Sequence, residues 1–97
     1  MSAKIKIKDR VISESSPCFV IAEIGHNHQG NLKVALDMIK TAAACGVDAV
    51  KFQKRDNKSL YTRALYSKTY DNEDSFGLTY GQHREFLEFD WEQYVAI

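Results

Sequence analysis

The chain has 97 residues, 44% hydrophobic and 27% charged, and its 13 basic and 13 acidic side chains cancel to a formal charge of zero. That composition suits one small globular domain or part of a larger one, not a disordered segment. It offers no cationic surface of the kind nucleic-acid backbones attract, and no stretch approaches the ~20 apolar residues that cross a bilayer.

The opening, MSAKIKIKDR, lacks the apolar core of a signal peptide. Cys18 and Cys45 match no CxxC or zinc spacing, and Cys45, set among alanines, reads as a small core residue. A reduced, cytoplasmic protein with no nucleic-acid or membrane partner is the expectation.

Alternation in Lys4-Ile5-Lys6-Ile7, a turn at Asp9-Arg10 and resumption at Val11-Ile12 predict a hairpin, half buried and half wet. Lys4, Lys6 and Lys8 would form its wet face. Residues 1–16 then make an N-terminal hairpin and connector, with Pro17 keeping Ser16 out of helical geometry. Phe19 to Ile24 is apolar except for Glu23, the pattern of a short strand covered on both faces in a parallel sheet. From Asn31, apolar positions Leu32, Ala35, Leu36, Ile39, Ala42 and Ala43 recur at helical steps, with Asn31 as N-cap and Gly46 at the C-terminus. "VDAVKFQ" supplies a second buried strand and completes a βαβ unit.

Lys54 to Gly81 is polar, tyrosine-rich and too long for a routine connector. "QHREFLEF" and "DWEQYVAI" predict short helices, the second opened by a capping box from Asp90 to Gln93. Two parallel strands cannot close a sheet, and the sequence stops inside an apparent helix at Ile97. Residues 17–97 are therefore expected to be part of a larger α/β domain.

Alternate residues of a strand share a face, so Glu23 points the same way as Lys51 and Gln53 at the C-terminal ends of adjacent strands. In a β/α barrel that side is the lumen, with the active site at its C-terminal mouth. A buried Lys51 near a buried Glu23 needs partners, and a phosphate or carboxylate ligand would neutralise the lysine. The plain alternative is a Glu23–Lys51 ion pair with no catalytic meaning; Asn27, His28 and Gln53 close behind favour a functional site. His26 and His28, two apart, form a possible start of a zinc site. Both fall between Gly25 and Gly30, in a turn, and no third ligand is in view. One imidazole is expected to line the pocket and the other to be exposed. His83 reads as a polar helix residue without a role.

The run FVIAEIGHNHQGNLKVALDMIKTAAACGVDAVKFQ closely resembles the N-terminal segment of the sialic acid synthase (N-acetylneuraminate synthase) family. The residues that carry the resemblance are Ala22-Glu23-Ile24-Gly25, Asn27-His28 and Gly30, then Gly46-Val47-Asp48-Ala49-Val50-Lys51-Phe52-Gln53. The match is dense over about a third of the chain and continues loosely through "SLYT" and "SFGLTYGQHREFLEF".

The resemblance implies a TIM (β/α)8 barrel, of which this chain would hold the N-terminal hairpin and the first two β/α units. It implies condensation of phosphoenolpyruvate with N-acetylmannosamine or a related N-acylated amino sugar, giving a nine-carbon keto sugar acid and phosphate. A divalent metal, manganese or magnesium, would polarise the aldehyde oxygen, held by histidines outside this chain. A homodimer is implied as well. Carried over by motif, Lys51 holds the phosphoenolpyruvate anion, and Glu23 and Gln53 orient the amino sugar and water. Glu23 and Lys51 are the catalytic candidates; Asn27, His28 and, by looser alignment, Asn72 are further substrate contacts. His26 falls where the family pattern is variable. The activity would belong to a full-length protein, this chain alone being inactive. A metal-dependent barrel hydrolase using His26 and His28, or a non-catalytic binding fragment, are the competing readings.

Overall fold

A computed structural model describes residues 3–97, so the expected segment 1–16 is seen from Ala3 onward, Met1 and Ser2 lying outside. The described elements are β1 (Ile5–Ile7), β2 (Arg10–Ile12), β3 (Ile21–Gly25), α1 (Leu32–Ala44), β4 (Ala49–Phe52), α2 (Asn57–Leu60), α3 (Arg63–Tyr66), α4 (Tyr80–Leu87) and α5 (Trp91–Ala96). The architecture is mixed α/β.

β1 and β2 pair antiparallel in the register Ile5↔Ile12, Lys6↔Val11, Ile7↔Arg10. The turn is therefore Lys8-Asp9, one residue earlier than the alternation suggested. Lys8 takes a positive φ of 51° there, as the first loop position of a type II′ hairpin requires, and so leaves the strand face assigned to it. The expected half burial is also absent. Ile5, Ile7 and Val11 are exposed, because the hairpin packs mainly on itself. It is tied to the rest by Arg10, whose guanidinium pairs with the Asp48 carboxylate and lies 5.8 Å from the centre of the Phe19 ring. Asp48 also accepts the Val20 N–H at 2.8 Å. That bond, and next the charge of Arg10, hold its carboxyl below the usual range.

β3 and β4 run parallel on either side of α1 in the sequence, which is the βαβ unit foreseen. Asn31 caps α1 by accepting the Val34 N–H at 3.2 Å, and Gly46 follows the C-cap Cys45. Cys45 itself is exposed rather than part of a core. The strand alternation holds in part: Ala22, Ile24, Val50 and Phe52 are half-buried or buried and Ile21, Glu23 and Lys51 are exposed, but Ala49 and Gln53, on the same face as Lys51, are half-buried. Helix α1 shields one face of this two-stranded sheet, and the Glu23–Lys51 face is the one that further strands would cover. The buried apolar centre is small, comprising Ile24, Ala35, Leu87 and Phe89 among the described residues. A radius of gyration of 17.6 Å against about 12.5 Å for a compact domain of this length agrees.

The stretch from Lys54 to Gly81 is partly ordered into the one-turn helices α2 and α3, capped by Asp56 and Thr62, and a bridge between Thr69 and Thr79. α4 opens on a capping box of Thr79 and Gln82, and α5 on the Asp90–Gln93 box expected from sequence. Among the described residues no helix is long and apolar enough to cross a membrane.

Gly30 joins the β3–α1 turn to α1 at a φ of +75°, and a Cβ there would collide with the Phe86 carbonyl oxygen of α4. Gly30→Ala should cost roughly 2 kcal/mol, near 10 °C in thermal midpoint for a chain of this size. An unchanged melting curve would show that this approach does not hold α4 in place.

Candidate functional site

Parallel pairing sets Glu23 directly beside Lys51 at the C-terminal end of the two strands. The Lys51 Nζ lies 3.2 Å from Glu23 Oε2. Gln53, two residues on and on the same face, donates from Nε2 to Glu23 Oε1 at 3.3 Å. Each carboxylate oxygen thus has its own donor. Gly25 makes room for this: at φ +56° its missing Cβ would sit 3.2 Å from Glu23 Oε1 and 3.4 Å from Gln53 Nε2. The strand register also shifts between Glu23 and Gly25, ending the ladder and releasing the chain into the histidine turn.

The Glu23 and Lys51 side chains, however, are 43% and 65% exposed. The pair is open in this two-stranded sheet; the lumen in which burial was expected would need further strands. An ion pair this open contributes at most ~1 kcal/mol, so it does not hold the fold together, and Lys51 can exchange the carboxylate for an anionic ligand at little cost. The opposite holds for Glu88, in the link between α4 and α5, whose side chain is only 8% exposed. Its Oε1 accepts from Lys54 Nζ at 3.0 Å and from the Arg55 backbone N–H at 2.9 Å. Its Oε2 lies 3.2 Å from His26 Nε2.

Neither histidine is exposed. The His26 side chain is 9% exposed beside Glu88, and His28 is fully buried, stacked on Phe89 with ring centroids 3.9 Å apart. The expectation of one pocket-lining and one exposed imidazole fails because the turn folds both rings under the α4–α5 link. His28 Nδ1 accepts the Gly30 N–H at 3.0 Å, which places the ring proton on Nε2, and that nitrogen has no partner among the described residues. Burial, more than any neighbouring charge, lowers the pKa of both rings; for His26 the attraction of Glu88 works against it and Arg55 with it. The two rings meet edge to face at 5.7 Å, one bound to Glu88 and the other to Gly30. They do not converge on a common point, and among the described residues no group of three or more His, Cys, Asp or Glu side chains could hold a metal ion.

The remaining candidates are dispersed. The Asn27 amide donates to the Ile24 carbonyl at 2.8 Å and locks the turn. Asn72 accepts the Asp74 N–H at 2.9 Å and lines a separate cleft of about 610 Å³ with Tyr70 and Thr79. His83 accepts the Phe76 N–H and stacks on that ring. The geometry adds Arg55 to the site, since its guanidinium donates to Gln53 Oε1 and, at 3.3 Å, to the Tyr61 hydroxyl. Alternation of 51, 53 and 55 was the signal for it. Glu88 had no comparable signal.

Fold and site describe a parallel α/β protein with a polar, open cluster where its two paired strands end. The family model for the NeuB family matches residues 38–97. The N-acetylneuraminate-9-phosphate synthases of Mus musculus and Homo sapiens are each 46% identical over 88 residues, 91% of this chain and 24% of theirs. The solved N-acetylneuraminic acid (sialic acid) synthetase of Leptospira borgpetersenii serovar Hardjo-bovis, in complex with citrate, aligns over 99% of this chain and 29% of its own, at 28% identity and a TM-score of 0.71. The chain belongs to the NeuB family. It spans about a quarter of the length of these curated relatives.

Because burial lowers both imidazole pKa values, the unfolded chain takes up protons before the folded one does. Stability should be complete above about pH 6.5 and decline as pH falls below it, through the lower folded-state values. Thermal midpoints from pH 8 to pH 5 test this. His28→Phe, which keeps the stacked ring, should flatten the acid-side decline, and a midpoint that rises on acidification would contradict the assignment.

Proposed function

We propose that the chain supplies the hairpin and first two β/α units of a TIM (β/α)8 barrel synthase. Its full-length form would condense phosphoenolpyruvate with N-acetylmannosamine or a related N-acylated amino sugar. C3 of phosphoenolpyruvate forms a bond to the open-chain aldehyde carbon, whose oxygen takes a proton. Water adds to C2 and the phosphate leaves, giving a nine-carbon keto sugar acid. The observation that carries this reading is the open Lys51–Glu23–Gln53 cluster at adjacent parallel strand ends, the place where barrels keep their chemistry.

Lys51 is the counterion for the phosphoenolpyruvate anion, leaving Glu23 for it at small cost. Glu23, once released, accepts from a sugar hydroxyl or the attacking water, and Gln53 donates to a sugar oxygen. Asn27 and His28 support the turn behind these groups, since one is bonded to Ile24 and the other buried. Asn72 is assigned to the sugar by its place in the motif alone, as it lines a different cleft. The divalent metal, manganese or magnesium, would act as a Lewis acid and be held outside this chain. The enzyme would work as a homodimer. The mammalian relatives are named for a 9-phosphate product. Condensation adds three carbons ahead of the aldehyde, so that phosphate corresponds to the 6-position of the amino sugar.

In the full-length protein, phosphate release from phosphoenolpyruvate should require the amino sugar, offered free and as its 6-phosphate. Lys51→Ala should lower kcat/KM by roughly 100-fold or more. Sugar-independent release, or an unimpaired Lys51→Ala variant, would refute the reading.

A further inference from the structure

We infer that Arg55 is a positioning residue for the amino-sugar side of the site and acts through Gln53. The inference rests on the reading of Glu23, Lys51 and Gln53 given above. A carboxamide has one accepting end and one donating end, of nearly the same shape, and its partners decide which way it faces. A guanidinium carries donors only. The Arg55 guanidinium donates through Nη2 to Gln53 Oε1, so the carbonyl end of Gln53 faces the arginine. The Nε2 end then faces Glu23 Oε1, at 3.3 Å.

Arg55 is well placed to impose this orientation. Its Nη1 donates to the Tyr61 hydroxyl at 3.3 Å, and its backbone N–H is bound to the nearly buried Glu88 at 2.9 Å. Gln53 is anchored as well, its backbone carbonyl accepting from the Tyr94 hydroxyl at 3.0 Å. With its own acceptor occupied, Gln53 meets a ligand as a donor. The ligand atom it selects is an oxygen with a free lone pair, such as the N-acyl carbonyl or a hydroxyl of the amino sugar. Arg55 thereby sets the polarity of the sugar subsite while Lys51 serves the anion.

The test compares Arg55→Met, which keeps the stem without donors, with Arg55→Lys, Gln53→Ala and the Gln53→Ala/Arg55→Met double variant, all in the full-length protein. Arg55→Met should raise KM for the amino sugar roughly ten-fold, the worth of one hydrogen bond to a charged group. KM for phosphoenolpyruvate should stay within about two-fold, since that substrate is served by Lys51. Arg55→Lys, retaining one donor, should recover part of the loss, and Arg55→Met should add almost nothing once Gln53 is alanine.

An Arg55→Met enzyme like wild type beside an impaired Gln53→Ala would overturn the role of Arg55 and leave the site reading intact. So would a raised KM for phosphoenolpyruvate, or full additivity in the double variant. Silence of both single variants would remove the site reading too. Should Arg55→Met fail to fold, Arg55→Leu, likewise without a donor, provides the same comparison; its main-chain bond to Glu88 does not depend on the side chain.

Discussion

Glu88 draws together a histidine from the β3–α1 turn and two consecutive residues from the exit of β4, while itself almost out of water. A carboxylate in that position costs several kcal/mol to desolvate and is tolerated only with its lone pairs satisfied. The three donors come from positions 26, 54 and 55, so their arrangement is a constraint on tertiary structure. Once it is met, Phe89 is necessarily beside the turn, and its ring closes over His28. Gly30 lets the α4 backbone come close enough for this. The small apolar centre and the nearly buried Glu88 carboxylate therefore support each other.

The two ion pairs of this region differ in what they do, and exposure decides it. Removing one partner from a buried, fully bonded group costs ~3–5 kcal/mol, which is a large part of the stability of any small domain. Opening the Lys51–Glu23 pair costs at most ~1 kcal/mol. A ligand's binding energy can displace the second and not the first. Within this two-stranded sheet the Glu23–Lys51 pair is wet and adds little to the hold of one strand on the other.

Local periodicity carried much of this in the sequence. The i, i+3, i+4 pattern from Leu32, the Asn31 cap, the Asp90–Gln93 box and the shared face of positions 23, 51 and 53 each depend on neighbours within a turn or on strand alternation, and each is found. What was misread depended on longer-range or conformational facts. The hairpin turn falls at Lys8 because the chain accepts a left-handed φ there, which a lysine does not advertise. Glu88 lay inside the helix predicted for "QHREFLEF" with no sign of its role, since its His26 partner lies 62 positions away. Of His26 and His28 one was expected in the pocket and the other exposed, yet both rings lie folded under the α4–α5 link. Arg55 continued the alternation of Lys51 and Gln53 past the end of β4, where a strand argument is normally dropped.

That continuation links the fold to the chemistry. The backbone of Arg55 is held by the group that organises the fold, and its side chain by the group that faces the ligand. One residue therefore belongs to both networks through different atoms. The main-chain N–H is indifferent to side-chain identity, so selection at position 55 can retune the polarity of Gln53 without loosening Glu88. The same division holds at Gly25, where φ +56° ends the strand and the absent Cβ admits Glu23 to Gln53. At this end of the sheet the His26 and Lys54 side chains and the Arg55 N–H serve Glu88, while the Glu23, Lys51 and Gln53 side chains meet one another at the strand ends. On the proposed function, substrate preference can diverge among proteins that share the framework, because Lys51, Glu23 and the Arg55 side chain are not the groups that bind Glu88.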